Sequence, residues 1–364
     1  MNFCVLVIVI QADLHHKTIL RVTMRAILVA IALASSTLLT SIPVFAYDKE
    51  ALIQSYFSVV MIRGYNATGG LAYGSGVVIG KDKVITNCHV LRSTKQPWIS
   101  RGEDSYNINT VKVDAWHDLC IVTTDNLSLK PVKLGNSTTL KRGQEVAGIG
   151  HSNGVPAPLT STGSIKGLYN DNGANVIRTN AKFLLGASGS GLFDLDGNLV
   201  GINTFKTTGR GGSIHFALPV EWLETLDRQP ETSVFPISGK ALWEEDEDKK
   251  PFYMQAAVPE SRYDWPKLTQ VAEKWTVAEP KSTEAWYALG LGLENSGKNE
   301  AAESAYKQAI SVDAENFEAM MRLGAIAKAR GDTAEMHRIQ LAIADINKDA
   351  AVEYSDLMGC DKAC

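Results

Sequence analysis

The chain has 364 residues, of which 45% are hydrophobic, 21% charged and 8% aromatic, a globular composition that excludes collagen-like, coiled-coil and wholly disordered chains. The length suits about two domains, and a net charge of −4 gives no footprint for nucleic acid or an anionic membrane. That charge is uneven, +2 over residues 1–46, +3 over 47–228 and −9 over 229–364, which suggests two regions of opposite sign or a solvated acidic surface on the C-terminal part.

Residues 1–46 read as a targeting region. Arg25 is a short positive start, residues 27–39 are an apolar run, and Val44-Phe45-Ala46 is a loose small-x-small site with cleavage expected before Tyr47. Ser35, Ser36, Thr37, Thr40, Ser41 and Pro43 dilute the run below what a stable membrane span needs. Translation is expected to start at Met24, because the preceding residues fit no export pattern. The mature chain then keeps Cys88, Cys120, Cys360 and Cys364, an even count that in an exported protein reads as two disulfides with three possible connectivities. No CxxC or HExxH spacing occurs, so no metal site is expected.

Over residues 47–228 short β-type runs recur, at 76–79, 83–86, 119–122, 145–149, 199–203 and 213–217, separated by Gly, Asn, Asp and Ser. Many short strands at this spacing indicate an antiparallel barrel pair or sandwich. Asp196-Gly197 between apolar runs is a hairpin signal, and a helix is expected over 219–227. Residues 229–262 hold Pro230, Pro236, Pro251 and Pro259 and an acidic run at 244–248, and read as a linker.

The period then becomes helical. Trp286, Leu289, Gly290, Ala302, Tyr306 and Ala309 stand at relative positions 4, 7, 8, 20, 24 and 27. This resembles a tetratricopeptide repeat. Met320, Leu323 and Gly324 begin a second repeat, whose second helix departs with Met336 and Gln340; Leu268, Ala272, Trp275 and Pro280 fit an earlier half-repeat. The helical domain is placed at 263–350 and a tail with a cysteine pair at 351–364. Two and a half repeats fall short of independent stability, so this region should pack on the preceding domain or pair with another copy.

Three patterns carry the chemistry: Thr86-Asn87-Cys88-His89-Val90 after a β-type run, His117-Asp118 before another, and Gly186-Ala187-Ser188-Gly189-Ser190-Gly191 leading into a third. A serine hydroxyl needs a base during attack, an imidazole has a suitable pKa, and a carboxylate fixes the imidazole tautomer. Ser188 would be the nucleophile, His89 the base and then the acid, and Asp118 the orienting group. The order His, Asp, Ser, with gaps of 29 and 70 residues, resembles the trypsin-like serine peptidases, nearest to the HtrA (Deg) group, over roughly residues 55–222. Further matches are Gly74-Ser75-Gly76, Thr162-Gly163-Ser164-Ile165 and residues 214–219.

The resemblance implies an all-β chymotrypsin-like double β-barrel, here followed by a small all-α repeat domain, and a serine endopeptidase acting on proteins or peptides without a cofactor. It implies an oxyanion hole made by the amides of Gly186 and Ser188, worth about 3–4 kcal/mol of barrier per donor. It selects Asp118 over Asp114, sets His117 aside, and separates Ser188 from Ser190. Cys88 and Cys120 would lie behind the triad, either bonded to each other or as two small buried hydrophobes; a bond would leave Cys360–Cys364 to close a small loop. The substrate pocket would draw on Lys182, Thr204, Phe205, Lys206, Ile214 and His215, favouring acidic residues if a lysine points inward and small apolar ones if both face solvent. The chain departs from the group at Ala187, where Asn is usual, at Gly189-Ser190-Gly191, where Gly-Gly-Pro is usual, and in having helical repeats where a PDZ-like segment would follow. The functional expectation is an exported, periplasmic or secreted peptidase whose repeats bind a partner or substrate protein. The alternatives are a protease-like scaffold acting through the repeats and an adaptor tethered by an uncleaved N-terminal segment.

Overall fold

A computed structural model describes residues 49–360 and 364. The segment expected to direct export, residues 1–46, lies outside them. Among the described residues no helix is long and apolar enough to cross a membrane.

A helix α1 (Lys49–Phe57) opens the described chain, where a strand-rich domain was expected to begin. Its Ser55 hydroxyl donates to the Gly197 carbonyl at 2.7 Å, tying the helix to the second half of the domain. The first sheet is antiparallel and has eight strands. They are β1 (Val59–Tyr65), β2 (Leu71–Gly80), β3 (Lys83–Asn87), β4 (Trp98–Arg101), β5 (Asp104–Asn107), β6 (Thr110–Asp114), β7 (Leu119–Thr123) and β14 (Glu231–Thr232). Their order is β14-β6-β7-β3-β2-β1-β4-β5. Valines and isoleucines dominate its core, among them Val60, Ile62, Val84, Ile99 and Val122, as expected of β-branched residues on a pleated, buried face.

The second sheet closes into a barrel in the order β10-β13-β12-β11-β8-β9, formed by β8 (Glu145–Gly150), β9 (Leu159–Asp171), β10 (Ala174–Thr179), β11 (Ser190–Phe193), β12 (Leu199–Gly209) and β13 (Gly212–Pro219). Closure removes free edges. The Asp196-Gly197 signal joins β11 to β12. The expected pair of barrels is thus one closed barrel and one open, eight-stranded sheet. Helix α2 (Cys88–Arg92) follows β3, and α3 (Trp222–Asp227) closes the region within the expected 219–227.

The stretch expected to be a linker, 229–262, is instead packed along the peptidase-like domain. Strand β14 pairs with β6, Ile237 enters the core of the first sheet, and Ala241 and Leu242 are each 1% exposed. A few buried apolar residues anchor a segment whose composition is otherwise acidic. From Phe252 the chain is helical: α4 (Phe252–Arg262), α5 (Trp265–Ala278), α6 (Thr283–Glu294), α7 (Asn299–Val312), α8 (Phe317–Arg330), α9 (Thr333–Ile346) and α10 (Lys348–Met358). Helix α4 lies within the expected linker, and α10 occupies most of the expected tail.

The helices pack on the closed barrel. Tyr169 and Phe216 of the barrel share one core with Tyr253 and Met254 of α4, Trp275 of α5 and Ala285 of α6, and the Tyr169 ring stacks on Tyr253 at 4.7 Å. Arg142, with only 6% of its side chain exposed, pairs with Glu284 and Glu318 across this junction. A second core holds α7 to α10. Tyr306 packs over Gly290, as the repeat-like pattern predicts; over Gly324 the corresponding ring is Tyr354 of α10, since α9 supplies no aromatic there. Any side chain on Gly324 would put its first carbon 2.3 Å from that ring. The divergent Gln340 hydrogen-bonds Ser355 and Cys364 instead.

Candidate active site

The site forms where the two sheets meet. Strand β3 ends at Asn87, and α2 begins immediately, so His89 stands on the first turn of a short helix. Its Nδ1 lies 2.5 Å from Asp118 Oδ2, and its backbone N–H donates to Asp118 Oδ1 at 2.6 Å. Both carboxylate oxygens are therefore used in fixing one histidine, main chain and ring together. Asp118 sits in the turn before β7 with φ of +55°, a left-handed conformation uncommon outside glycine that aspartate and asparagine adopt more readily than most. Tertiary contacts hold it there. Cys88 N–H donates to the Asp118 carbonyl at 3.1 Å, and Asn87 Nδ2 donates to the same oxygen and to Thr204 Oγ1, each at 2.9 Å. Burial raises the Asp118 carboxyl above its ordinary value, against the hydrogen bonds and charge of His89, which pull it down.

The disulfide Cys88–Cys120 joins the residue before His89 to the residue two after Asp118, with Cα atoms 5.0 Å apart, and Cys360–Cys364 closes the C-terminal loop. Of the open alternatives, the bonded one is present in both cases.

Ser188 lies in the tight turn before β11. Its carbonyl accepts from Ser75 N–H at 2.8 Å, and Gly189 N–H donates to the Asn203 carbonyl at 2.9 Å. Gly189 has φ of +83°, and a Cβ there would fall 2.3 Å from the Ser75 carbonyl and 2.5 Å from Thr86 Oγ1. The turn is thus pressed against the strand end that carries His89, a fit only glycine allows. Among the described residues Ser188 Oγ has no hydrogen-bond partner, and the amides of Gly186 and Ser188 have no acceptor. A nucleophile–base bond that is absent without substrate is common in such sites. Ser190 is excluded from the role, since it is 1% exposed and its Oγ accepts from Asn203 Nδ2 at 3.0 Å.

Ser75 is a positioning residue that the sequence reading did not single out. Its Oγ donates to the Gly186 carbonyl at 2.8 Å and accepts from His151 N–H at 2.9 Å. His151 is otherwise held by the Val155 carbonyl, 2.9 Å from its Nδ1. The pair His117–Asp114 repeats the geometry of the His89–Asp118 pair, with Nδ1 and Oδ2 2.7 Å apart, but its imidazole lies against Trp222 at 4.1 Å, tilted by 39°. Burial pushes the Asp114 carboxyl up, and the hydrogen bonds from His117 more than offset this, leaving it below its ordinary value.

The six pocket candidates separate. Lys182 and Lys206 are exposed, with Lys206 Nζ donating to the Phe183 carbonyl at 3.3 Å. His215 is 2% exposed, packs edge-on against Phe183 at 4.6 Å, and is lowered to about 4, first by burial and then by the charges of Lys206 and Lys182. Thr204 is committed to Asn87, and Ile214 is buried in the main core. Phe205 stacks on Phe216 of the main core and on Trp243, a residue of the supposed linker. Phe183 and Trp243 carried no local signal, each meeting a partner distant in sequence, whereas Ser75 lay within the matched Gly74-Ser75-Gly76 but was given no role.

Residues 74–202 match the family of the trypsin-like peptidase domain. Over 170 residues the chain is 35% identical to a probable periplasmic serine endoprotease DegP-like of Buchnera aphidicola subsp. Baizongia pistaciae, an alignment of 43% of this chain and 36% of that protein. It is 33% identical over 171 residues to the periplasmic serine endoprotease DegP of Escherichia coli K12, covering 44% and 36%. The chain thus spans about a third of the length of these relatives. Among solved structures, the HtrA-type protease AlgW with tripeptide aligns at 27% identity over 49% of this chain and 61% of its own, with a TM-score of 0.44. The active form of the Rv3671c protease from M. tuberculosis aligns at 21% identity over 52% and 88%, with a TM-score of 0.46. The chain carries a trypsin-like peptidase domain, and the two relatives named above are serine endoproteases.

Proposed function

We propose that this chain is an exported serine endopeptidase that cleaves peptide bonds through an acyl-enzyme on Ser188. The observation that carries the reading is the two-point grip of Asp118 on His89, beside a serine turn that leaves the Gly186 and Ser188 amides free. In the reaction Ser188 Oγ attacks the scissile carbonyl carbon and its proton passes to His89 Nε2. The negative oxygen of the tetrahedral intermediate rests on the two free amides. Collapse breaks the C–N bond as His89 returns the proton to the leaving amine. A water, deprotonated by His89, then attacks the acyl carbon, and the ester bond to Ser188 Oγ breaks as His89 returns the proton to that oxygen, releasing the acid. Asp118 holds the imidazole tautomer and stabilises its charged form throughout.

Export to an oxidising compartment, periplasmic or extracellular, is supported by the two disulfides and by the word periplasmic in the names of the relatives. Helices α4 to α6 share the barrel's core, so partner or substrate-protein binding of the tetratricopeptide type would fall to α7–α10.

The test is fluorophosphonate labelling of the mature chain beside its Ser188→Ala variant, because the probe reacts only where a base and an oxyanion hole surround a serine. Labelling that is lost in the variant supports the reading. The alternative, a silent scaffold that binds proteins through its helices, draws on the missing Ser188–His89 hydrogen bond; a folded, disulfide-bonded chain that does not label would favour it.

A further inference from the structure

The segment after the peptidase domain does more than connect. Arg92, three residues beyond His89 on α2, forks onto Glu244 with Nη1–Oε2 and Nη2–Oε1 at 2.5 and 3.1 Å, and also donates to the Gly239 carbonyl at 3.0 Å. Leu242 N–H donates to the Trp116 carbonyl at 2.9 Å, and Leu242 is buried in the main core. Glu244 also accepts from Ala241 N–H at 2.8 Å, closing a single helical turn. Bidentate arginine–carboxylate pairs fix orientation as well as attract, so this turn is set in place from both ends.

Between those anchors stands Trp243. Its indole stacks on Phe205 at 5.4 Å and 23°, and meets the His89 imidazole edge-on at 6.1 Å and 90°. Trp243 is only half-buried. Phe205 is the residue after Thr204 on β12, the strand whose Asn203 and Thr204 brace the Ser188 turn and the His89 strand end. The indole therefore lines one side of the notch between the base and the strand that runs out of the site.

A peptide reaching Ser188 has to lie in that notch. In an extended substrate successive side chains point to opposite sides. If the residue whose carbonyl is attacked turns towards the 182–186 loop, the residue preceding it turns towards His89 and the indole. We propose that Trp243 is the specificity-determining wall for that preceding residue, restricting it to small side chains. The inference rests on the peptidase reading. It also makes residues 236–245 part of the substrate site although they lie outside the stretch matching the peptidase family.

The experiment compares the full mature chain with Trp243→Ala and Trp243→Phe on one pooled peptide library, sequencing the cleavage products, with fluorophosphonate labelling of Ser188 in parallel. For Trp243→Ala the expected result is a rise in the ratio of bulky to small residues at the position before the attacked one, by about 10–200-fold, with Trp243→Phe between it and the native chain. Labelled variants with an unchanged ratio overturn the wall. So does a uniform rise at every sequence together with faster labelling, which would make the indole a plug. A native chain that fails to label refutes the peptidase reading and the wall with it, whereas an unchanged ratio in labelled chains refutes the wall alone.

Discussion

Ser75 and Gly186 join the two sheets at the oxyanion loop: the hydroxyl of one, on β2, donates to the carbonyl of the other at 2.8 Å. The same hydroxyl accepts from His151 N–H, and Ser75 is fully buried. Replacing it with alanine strands a carbonyl and an amide in the interior, a cost of about 1–3 kcal/mol. Because that loop would stabilise the developing oxyanion in the proposed reaction, Ser75→Ala is expected to lower kcat about 10–100-fold with little change in KM, measured on one peptide substrate.

Asp118→Asn preserves shape and removes charge. The amide would present a donor or a neutral acceptor to His89 Nδ1 and lose the preference for the working tautomer. The expected outcome is a fall in kcat of about 10⁴-fold with an unchanged circular dichroism spectrum. An equal loss in Asp114→Asn would refute the assignment of Asp118, because Asp114 holds only His117.

His215 makes stability depend on acidity. It is buried, and its pKa is lowered to about 4 with Lys206 and Lys182 opposing its charge, so between pH 6.5 and 4 the unfolded chain binds a proton that the folded chain refuses. Stability rises with pH wherever the unfolded state binds more protons. This contribution is complete above pH 6.5 and fades as pH falls towards 4, by on the order of 3 kcal/mol. Urea midpoints at pH 7 and 4.5 should converge more for His215→Leu than for the native chain.

Arg142 is nearly buried and is shared by Glu284 and Glu318. Arg142→Met removes the guanidinium from both helix carboxylates, leaving Glu318 only Lys166 at 3.6 Å, and a loss of about 3–5 kcal/mol is expected from denaturant unfolding. Because Tyr169, Phe216, Tyr253 and Trp275 belong to one core, the barrel and α4–α6 should also unfold in one transition. Two transitions would contradict the shared core.

What the sequence made legible has a common cause. The order of His89, Asp118 and Ser188, the β-type runs and the Gly290–Tyr306 spacing are local patterns, and local patterns survive in one dimension. The parts that were missed depend on partners far away. The Arg92–Glu244 pair spans 152 residues, so nothing near residue 244 marks its acidic run as anchored. Ile237, Ala241 and Leu242 are single apolar contacts without a period, which is why composition suggested a linker. Tyr354 fills a place that the repeat pattern assigns to the preceding helix. Helix α1, nine residues long, is too short to carry a firm periodic signal.

The shared core also has a consequence in time. A chain emerges from its amino end, and domains ordinarily fold as they are completed. Here the barrel that bears Ser188 finishes at Pro219, yet the face formed by Tyr169 and Phe216 is covered by residues 253–291. Those residues arrive only after the barrel's last strand. The nucleophile turn can form early, but the wall beside His89 and the packing behind the barrel await the helices, so a chain interrupted at residue 228 would carry the triad on an unfinished body.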